Sequence, residues 1–324
     1  MTLILSHTSA LEFWRAAESA TLSHADHAAK DADTGKPTAA QVNGLRQWGS
    51  SFLSDPVHLL VDLAGSRCRG IHSSCHLHSS RLPPDSFVRV DDDVIVCRPE
   101  LCFVQMATKM SFPQLLELGF ELCGTYNLPS EGSKKAFQRN PLTSVESLSL
   151  FIDVIDGLRG TVDARRALPY IVEGSASPRE TILTLLLCLP LRLGGCGLPQ
   201  PELNHQVFLD EIARRATGKK SLRCDLYWPA ARLAVEYDSD LHHTGGDRIA
   251  DDATRRAVLA NMGIGVVTVT RRQVTARSEF ALVVQLLARH LGKRNRKTRR
   301  TWAIQEQELR SQLLGIRSED RRVP

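Results

Sequence analysis

The sequence predicts a mixed α/β (α+β) protein in which a smaller N-terminal domain precedes a C-terminal domain with a different order of elements. The chain has 324 residues, of which 42% are hydrophobic and 24% are charged, enough for two domains with buried cores. Short strand-like runs alternate with helical patterns in both halves. The longest nearly apolar run, Thr181 to Leu191, is shorter than the roughly 20 residues that cross a bilayer, so no membrane partner is expected.

The N-terminal domain, residues 1–140, is predicted to combine a few helices with short strands. Apolar and aromatic anchors indicate a helix from Ser6 to Glu18, and the polar stretch from Ser23 to Asn43 is typical of a long loop. The first fifteen residues lack the layout of a signal peptide, which predicts a cytoplasmic location. The remaining elements are strands at Val57 to Leu63, Phe87 to Val90 and Val94 to Cys97, and helices at Pro99 to Met110 and Phe112 to Cys123.

A helical linker, residues 141–173, is predicted to join this domain to a second one, residues 174–291. The second domain begins with Ser177-Pro178-Arg179-Glu180, where a serine N-cap, a proline at the first helical position and a glutamate three residues after the cap indicate a helix start. Three strands, a helix, a strand and a helix follow, at Gln206 to Ile212, Leu222 to Trp228, Arg232 to Asp238, Asp247 to Met262, Gly265 to Thr270 and Glu279 to Leu291.

Two of these strands are predicted to form a hairpin that brings two acids together. A tight turn at Pro229 to Arg232, centred between Ala230 and Ala231, places Asp225 opposite Glu236. Directly opposed side chains in an antiparallel pair have Cβ atoms about 5 Å apart, and like charges at that spacing are destabilising. A cation between the two carboxylates would remove the repulsion.

Alternation along the hairpin predicts one acidic and one apolar face. Asp238 shares the face of Glu236, whereas Leu226, Trp228, Leu233 and Val235 take the other. Converging carboxylate oxygens are what Mg²⁺ prefers, and such an ion assists phosphodiester hydrolysis. The alternative is an exposed strand face whose acids are solvated or paired, with Arg223 opposite Asp238.

The basic residues are concentrated near the C-terminus. The net charge is +5, from 41 Lys plus Arg and 36 Asp plus Glu, and seven basic residues fall between Arg289 and Arg300 without an acid. Residues 292–324 are predicted to be a basic tail that binds DNA phosphates, or else a solvated extension. The residues proposed to contact nucleic acid are Arg294, Arg296, Lys297, Arg299 and Arg300.

The C-terminal half resembles the PD-(D/E)XK nuclease superfamily, in particular its branch similar to very-short-patch repair endonucleases. The resemblance covers about residues 175–291, under half of the chain. It is carried by Glu180, by Asp225 in Cys-Asp-Leu-Tyr-Trp-Pro, by Glu236-Tyr-Asp238 followed by His242-His243, by Asp252-x-x-Arg255-x-x-x-Leu259-x-x-x-Gly263, and by Val266 to Thr270.

This resemblance implies a restriction-endonuclease-like core that cleaves DNA with Mg²⁺ or Mn²⁺. It implies that Asp225 and Glu236 bind the metal and that Glu180 contributes a third ligand. Asp238 stands where the superfamily usually has a catalytic lysine, so His242 or His243 becomes the candidate general base or acid.

Several of these residues have other interpretations. Glu180 is also what a helix-capping box requires, and the two histidines also suit a polar loop. Arg255 suits a surface ion pair with Asp252.

The N-terminal half resembles, more faintly, the portion that precedes such nuclease domains in proteins related to abortive-infection antitoxins. The similar residues are His72 to Pro84 and Pro99 to Ala107. Two hypotheses follow. The first is a metal-dependent DNA endonuclease acting in repair or defence, and the second is a non-catalytic, antitoxin-like regulator that keeps a nuclease fold as a binding platform.

Overall fold

The protein is a mixed α+β molecule with two compact units, Met1–Ile171 and Val172–Pro324. The predicted fold class is therefore confirmed. The computed structural model describes residues 2–17, 26–27, 36–67, 70–78, 82–129, 138–155, 157–238, 246–293 and 300–315. In these ranges no helix is both long enough and apolar enough to cross a membrane.

The first unit is built on a mixed sheet, to which the described residues contribute six strands in the order β2-β5-β6-β1-β3-β4. The strand β1 runs parallel to β6 and antiparallel to β3, and all residues of β1 and β6 are buried. Strands that are covered on both faces carry continuous apolar runs, as these two do. The strands are β1 (Leu3–Leu5), β2 (Asp26–His27), β3 (Val57–Val61), β4 (Ser73–Leu77), β5 (Phe87–Asp91) and β6 (Val94–Cys97).

The described residues of this unit also form six helices, and two of the predictions for this region are corrected by them. Residues 39–48 are helical although the polar stretch up to Asn43 predicted a loop, because Thr38 and Gln41 form a capping box that starts the helix. The two helices of the predicted linker bury Leu148, Ile152, Ala164 and Ala167 completely, so residues 141–171 belong to the first unit. The helices are α1 (His7–Ala16), α2 (Ala39–Trp48), α3 (Pro99–Met106), α4 (Phe112–Leu122), α5 (Val145–Val154) and α6 (Thr161–Ala167).

A cluster of three imidazole rings lies at the start of α1. His7 stacks on His76 with 3.8 Å between ring centroids, and Nδ1 of His58 lies 2.7 Å from Nε2 of His76. Burial, reinforced by the two other rings and by Lys109, lowers the pKa of His7 to about 3. Burial also lowers the pKa of His58, so the charged forms of His7 and His58 are both disfavoured.

We predict that this cluster makes the protein sensitive to acid. Between about pH 6.5, the ordinary pKa of histidine, and about pH 3, the unfolded chain binds a proton at His7 that the folded chain does not, so the free energy of unfolding decreases as pH falls. His7 contributes up to about 1.4 kcal/mol per pH unit in that window. Denaturant unfolding at a series of pH values should give a shallower pH dependence for His7→Gln than for wild type. An identical dependence in both proteins would contradict the assignment.

The second unit contains the predicted helix, three strands, helix, strand and helix in that order, together with three helices that were not predicted, at Glu211–Thr217 between the first two strands, at Arg271–Thr275 and at Arg300–Leu314. Its main elements are α7 (Pro178–Cys188), β7 (Glu202–Phe208), α8 (Glu211–Thr217), β8 (Ser221–Trp228), β9 (Leu233–Asp238), α9 (Gly246–Asn261), β10 (Gly265–Thr270), α10 (Arg271–Thr275), α11 (Arg277–His290) and α12 (Arg300–Leu314). The predicted strand Gln206 to Ile212 ends early, since the Asp210 side chain accepts a hydrogen bond from the backbone N–H of Ala213 and starts α8.

The sheet of the second unit has the strand order β10-β9-β8-β7. The strands β7, β8 and β9 are antiparallel neighbours, whereas β10 runs parallel to β9 and is reached through α9. Val258 and Leu259 of α9 pack in a core cluster with Tyr227 of β8 and Ala234 of β9. This packing fixes α9 over one face of the hairpin β8–β9.

The C-terminal region differs from the predicted basic tail, because it contains α12. Leu309 and Leu313 of this helix are buried, Glu306 pairs with Arg277 at 2.8 Å, and the Arg310 guanidinium lies 5.1 Å from the ring centroid of Phe280. A truncation after Leu291 would therefore remove part of the packing of α11 as well as the basic residues.

Candidate functional site

The predicted hairpin is present, and its register is the predicted one. Leu226, Tyr227 and Trp228 pair with Val235, Ala234 and Leu233, and the chain turns at Pro229–Ala231 with Arg232 in the left-handed region, at φ 47°. The recorded pairing ends at Leu226 and Val235, one residue short of Asp225 and Glu236, but the charge of Asp225 acts on Glu236. Oδ2 of Asp225 accepts a hydrogen bond from the backbone N–H of Tyr237 at 2.8 Å, which ties the first acid to the strand of the second.

The face predicted to be acidic is acidic only in part. Ala234, which alternation places on the face of Glu236, is completely buried in the core cluster under α9. The apolar face is as expected, since Leu226, Trp228, Leu233 and Val235 are all buried. Both faces of the hairpin are thus covered near its turn, and the acids occur only toward the other end.

The strand alternation is interrupted at Asp225. His205 of β7 lies opposite Cys224 of β8. Its ring nevertheless stacks on Tyr227, with 4.8 Å between the ring centroids. Cys224 and Tyr227 are three residues apart, so regular alternation would place their side chains on opposite faces of the sheet. In the same register Asp225 falls opposite Asn204, whose φ of 52° is unusual for a residue other than glycine. Such an irregularity redirects a side chain, and here it affects one of the two candidate ligands.

Glu180 lies at the start of α7 and is engaged in capping. Its Oε2 accepts hydrogen bonds from the Ala176 N–H at 2.9 Å and from Nδ2 of Asn204 at 2.6 Å, and its Oε1 accepts one from the Ser177 hydroxyl at 2.8 Å. The Asp225 charge still reaches it, and together with burial raises the pKa of Glu180. Its hydrogen bonds favour the capping role, as the serine and proline before it suggested.

The cation beside the acid pair is Arg255. Its Nη2 donates to Oε1 of Glu236 at 2.7 Å and also to the carbonyl oxygen of Arg223. The side chains of Arg255 and Glu236 are 26% and 21% exposed, so the ion pair is partly removed from water. Arg255 therefore contacts a sheet acid rather than forming the surface pair with Asp252.

Sequence reasoning did not connect Arg255 with Glu236. The sequence does contain a pattern that predicts this contact. Arg255 is three and four residues before Val258 and Leu259, so all three lie on the side of α9 that faces the sheet.

Burial disfavours the charged forms of both acids, and the charge of Asp225 adds to this effect at Glu236. Burial, followed by the neighbouring Asp225 charge, raises the pKa of Glu236 to about 7 even though Arg255 acts in the opposite direction. Burial also raises the pKa of Asp225, against the hydrogen bond from Tyr237 and the charges of Arg255 and Arg223. Such raised values are common at functional sites, where like charges are held together.

Exposed arginines from three elements lie near Tyr237 and Asp225. The Arg179 guanidinium of α7 lies 5.9 Å from the ring centroid of Tyr237, and Arg271 of α10 also acts on that tyrosine. Arg223 of β8 acts on Asp225. All three arginines are exposed, so their guanidinium groups can bind an anion that approaches the carboxylates.

The other proposed site residues are less well defined. Asp238 is the last residue of β9, half-buried and opposite Thr270 of β10. His242 and His243 lie outside the described residues, as do Arg294, Arg296, Lys297 and Arg299. Arg300 begins α12 but its side chain is not described. Within the described ranges, no group of three or more acidic, histidine or cysteine side chains is arranged to hold a metal ion.

Comparisons with known proteins identify two relatives and no family. The chain is 32% identical over 137 residues to uncharacterized proteins of Mycobacterium tuberculosis, one from strain CDC 1551 and one from strain H37Rv. The match covers 42% of this chain and 45% of each relative, so the chain spans under half the length of the curated relatives it matches. No family model matches the chain, and no solved structure matches it significantly.

We predict that Asp225→Asn lowers the pKa of Glu236 below about 7, because the substitution removes the neighbouring negative charge. Carboxyl ¹³C NMR over a pH series would measure it. Glu211→Gln removes an exposed acid that pairs with Arg215 on α8 and serves as the matched control. A Glu236 titration unaffected by either substitution would show that the two acids do not interact.

We also predict that Glu180→Ala destabilises the protein by about 1–2 kcal/mol, the usual effect of removing a capping side chain with several hydrogen bonds. Urea unfolding would measure the loss. Glu211→Ala, in the first turn of α8, should have a smaller effect because that side chain is exposed. Equal effects of the two substitutions would argue against a capping role for Glu180.

Proposed function

We propose that the second unit hydrolyses phosphodiester bonds of DNA with a divalent cation, Mg²⁺ or Mn²⁺, held by Asp225 and Glu236. The observation that carries the proposal is that Asp225 is tied to the backbone of Tyr237, the residue after Glu236, so that two partly buried carboxylates repel each other at the end of the hairpin. Like charges in such surroundings are unfavourable, and a cation that bridges them stabilises both.

The atoms around the pair suit a hard cation. Mg²⁺ is commonly bound by one or two carboxylates, with water and substrate phosphate completing its coordination, so two acids are sufficient. Oδ1 of Asn204 is buried and accepts no hydrogen bond from any described residue. Together with the oxygens of Glu180, Asp225 and Glu236, it gives this region a surplus of acceptors over donors.

Each chain residue has a defined part in this proposal. The exposed guanidinium groups of Arg179, Arg223 and Arg271 bind phosphate oxygens and position the DNA backbone. The cation, when bound, polarises the scissile phosphodiester and lowers the pKa of a water molecule. His242 or His243 accepts or donates the proton, and Asp238 takes the sequence position of the usual lysine.

A second candidate function is non-catalytic DNA binding or regulation. It is favoured by one observation, the Arg255–Glu236 ion pair, which supplies a positive charge to the acids without a metal ion. A protein of this kind would use the arginines around the acids to bind DNA and would not depend on divalent ions.

The proposed hydrolysis predicts that Asp225→Asn and Glu236→Gln each lower the rate of Mn²⁺-dependent DNA cleavage by about 100-fold or more, because several kcal/mol of metal-supplied stabilisation is lost. The assay would compare single-stranded, duplex and mismatched DNA with Mg²⁺ and Mn²⁺. Glu211→Gln is the matched control and should cleave at the wild-type rate. Wild-type protein that binds DNA but cleaves none of these substrates would support the regulatory function.

The arginine assignment predicts that the triple substitution Arg179→Ala, Arg223→Ala, Arg271→Ala weakens binding to all DNA sequences alike. The slope of log affinity against log salt should decrease by about 0.9 for each phosphate-binding arginine that is removed, when the ligand is duplex DNA. The control is Arg215→Ala, Lys219→Ala, Lys220→Ala, which removes the same charge from exposed residues of α8 and the turn after it. Equal effects in the two proteins would mean that only net charge matters.

A further inference from the structure

Arg255 already occupies a position beside Glu236 that a divalent cation would need. One guanidinium nitrogen donates both to Oε1 of Glu236, at 2.7 Å, and to the carbonyl oxygen of Arg223. A carboxylate oxygen engaged in a charge-assisted hydrogen bond of this length is screened from a second cation by the charge of the first. Arginine and metal ion therefore compete for the same oxygen.

We propose that Arg255 is an internal counter-ion that holds Glu236 in the metal-free protein and moves away when a divalent cation binds. The contact between Arg255 and Glu236 would then set how tightly the site binds metal. This inference rests on the proposed function only in the identity of the cation site, Asp225 and Glu236, and not on cleavage of DNA.

The surroundings of Arg255 support an exchange of this kind. The ion pair is about a quarter exposed on the arginine side, so water and ions reach it. Arg255 donates to one carboxylate only, whereas a divalent cation brings twice the charge and can bind Glu236 and Asp225 together. These differences favour the metal ion once it is present.

The second hydrogen bond keeps the released side chain close. The carbonyl oxygen of Arg223 belongs to β8, so a guanidinium that leaves Glu236 can stay attached to the sheet beside the acids. It still has free N–H donors in a planar fork, which is the geometry that suits a phosphate group. The same arginine would then neutralise the acid before metal binds and contact the DNA backbone afterwards.

The test compares Mn²⁺ affinity, by calorimetry and electron paramagnetic resonance, in full-length wild type, Arg255→Gln and Arg255→Lys. Arg255→Gln should bind Mn²⁺ about five- to tenfold more tightly than wild type, which corresponds to about 1–1.4 kcal/mol. Arg255→Lys, which keeps the charge without the planar fork, should fall between the two. Arg215→Gln removes the arginine of an exposed Arg–Glu pair on α8 and should bind as wild type does.

Each outcome has one meaning. Equal or weaker Mn²⁺ binding by a folded Arg255→Gln, while Glu236→Gln still abolishes binding, overturns the counter-ion role and leaves the proposed metal site intact. No Mn²⁺ binding by any of the proteins overturns the proposed function and the counter-ion role together.

A second measurement on wild type applies if Arg255→Gln does not fold. The Nη–H NMR signals of Arg255 should shift as Mg²⁺ is added and the hydrogen bond from Nη2 to Glu236 breaks. If Mg²⁺ binding requires Asp225 but the Arg255 signals stay constant as Mg²⁺ binds, the counter-ion role is overturned.

Discussion

The second unit depends on the charge balance of two acids that the hairpin holds side by side. Asp225 is fixed by its hydrogen bond to the backbone of Tyr237, and Glu236 follows from the register that pairs Leu226 with Val235. The repulsion between the two acids is reduced when either one is protonated or paired with a cation. Burial, followed by the charge of Asp225, raises the pKa of Glu236 to about 7, and Arg255 supplies a cation to the same carboxylate. The helix α9 thus has two tasks, since its apolar side chains cover the sheet and its arginine neutralises the acid.

The excess of acceptors extends beyond the acid pair toward the start of α7. Asn204 donates both to Glu180 and to the carbonyl oxygen of Gly174, which leaves its own Oδ1 without a described donor. Its left-handed backbone interrupts the alternation of the strand pair beside Asp225. Positions that break local rules in this way are often retained for function, because a purely structural site would favour a regular strand and paired polar atoms.

The part of the site that follows from local rules could be predicted, and the part that needs long-range packing could not. The turn at Pro229–Ala231 and the alternation of Leu226, Trp228, Leu233 and Val235 agree, and together they specify the register that joins the two acids. The Arg255–Glu236 pair spans 19 residues and depends on how α9 crosses the sheet. In the first unit, β4 has too polar a sequence to be recognised and is paired through its neighbour β3. The helix α12 was not predicted, because the run of basic residues before it indicated a solvated tail and the helix has only a few leucines for its buried face.

The positive charges near the two acids come from several different elements of the second unit. Two residues after Glu236 the strand β9 carries Asp238, where a lysine would place a positive charge on the same strand as the acid. The described cations come instead from α7, β8, α9 and α10, through Arg179, Arg223, Arg255 and Arg271. A lysine on the same strand would be fixed by the hairpin register, but arginines on separate elements can change partners while the strands stay paired. This difference is consistent with the proposed exchange, in which the acids stay on paired strands while Arg255 changes its partner.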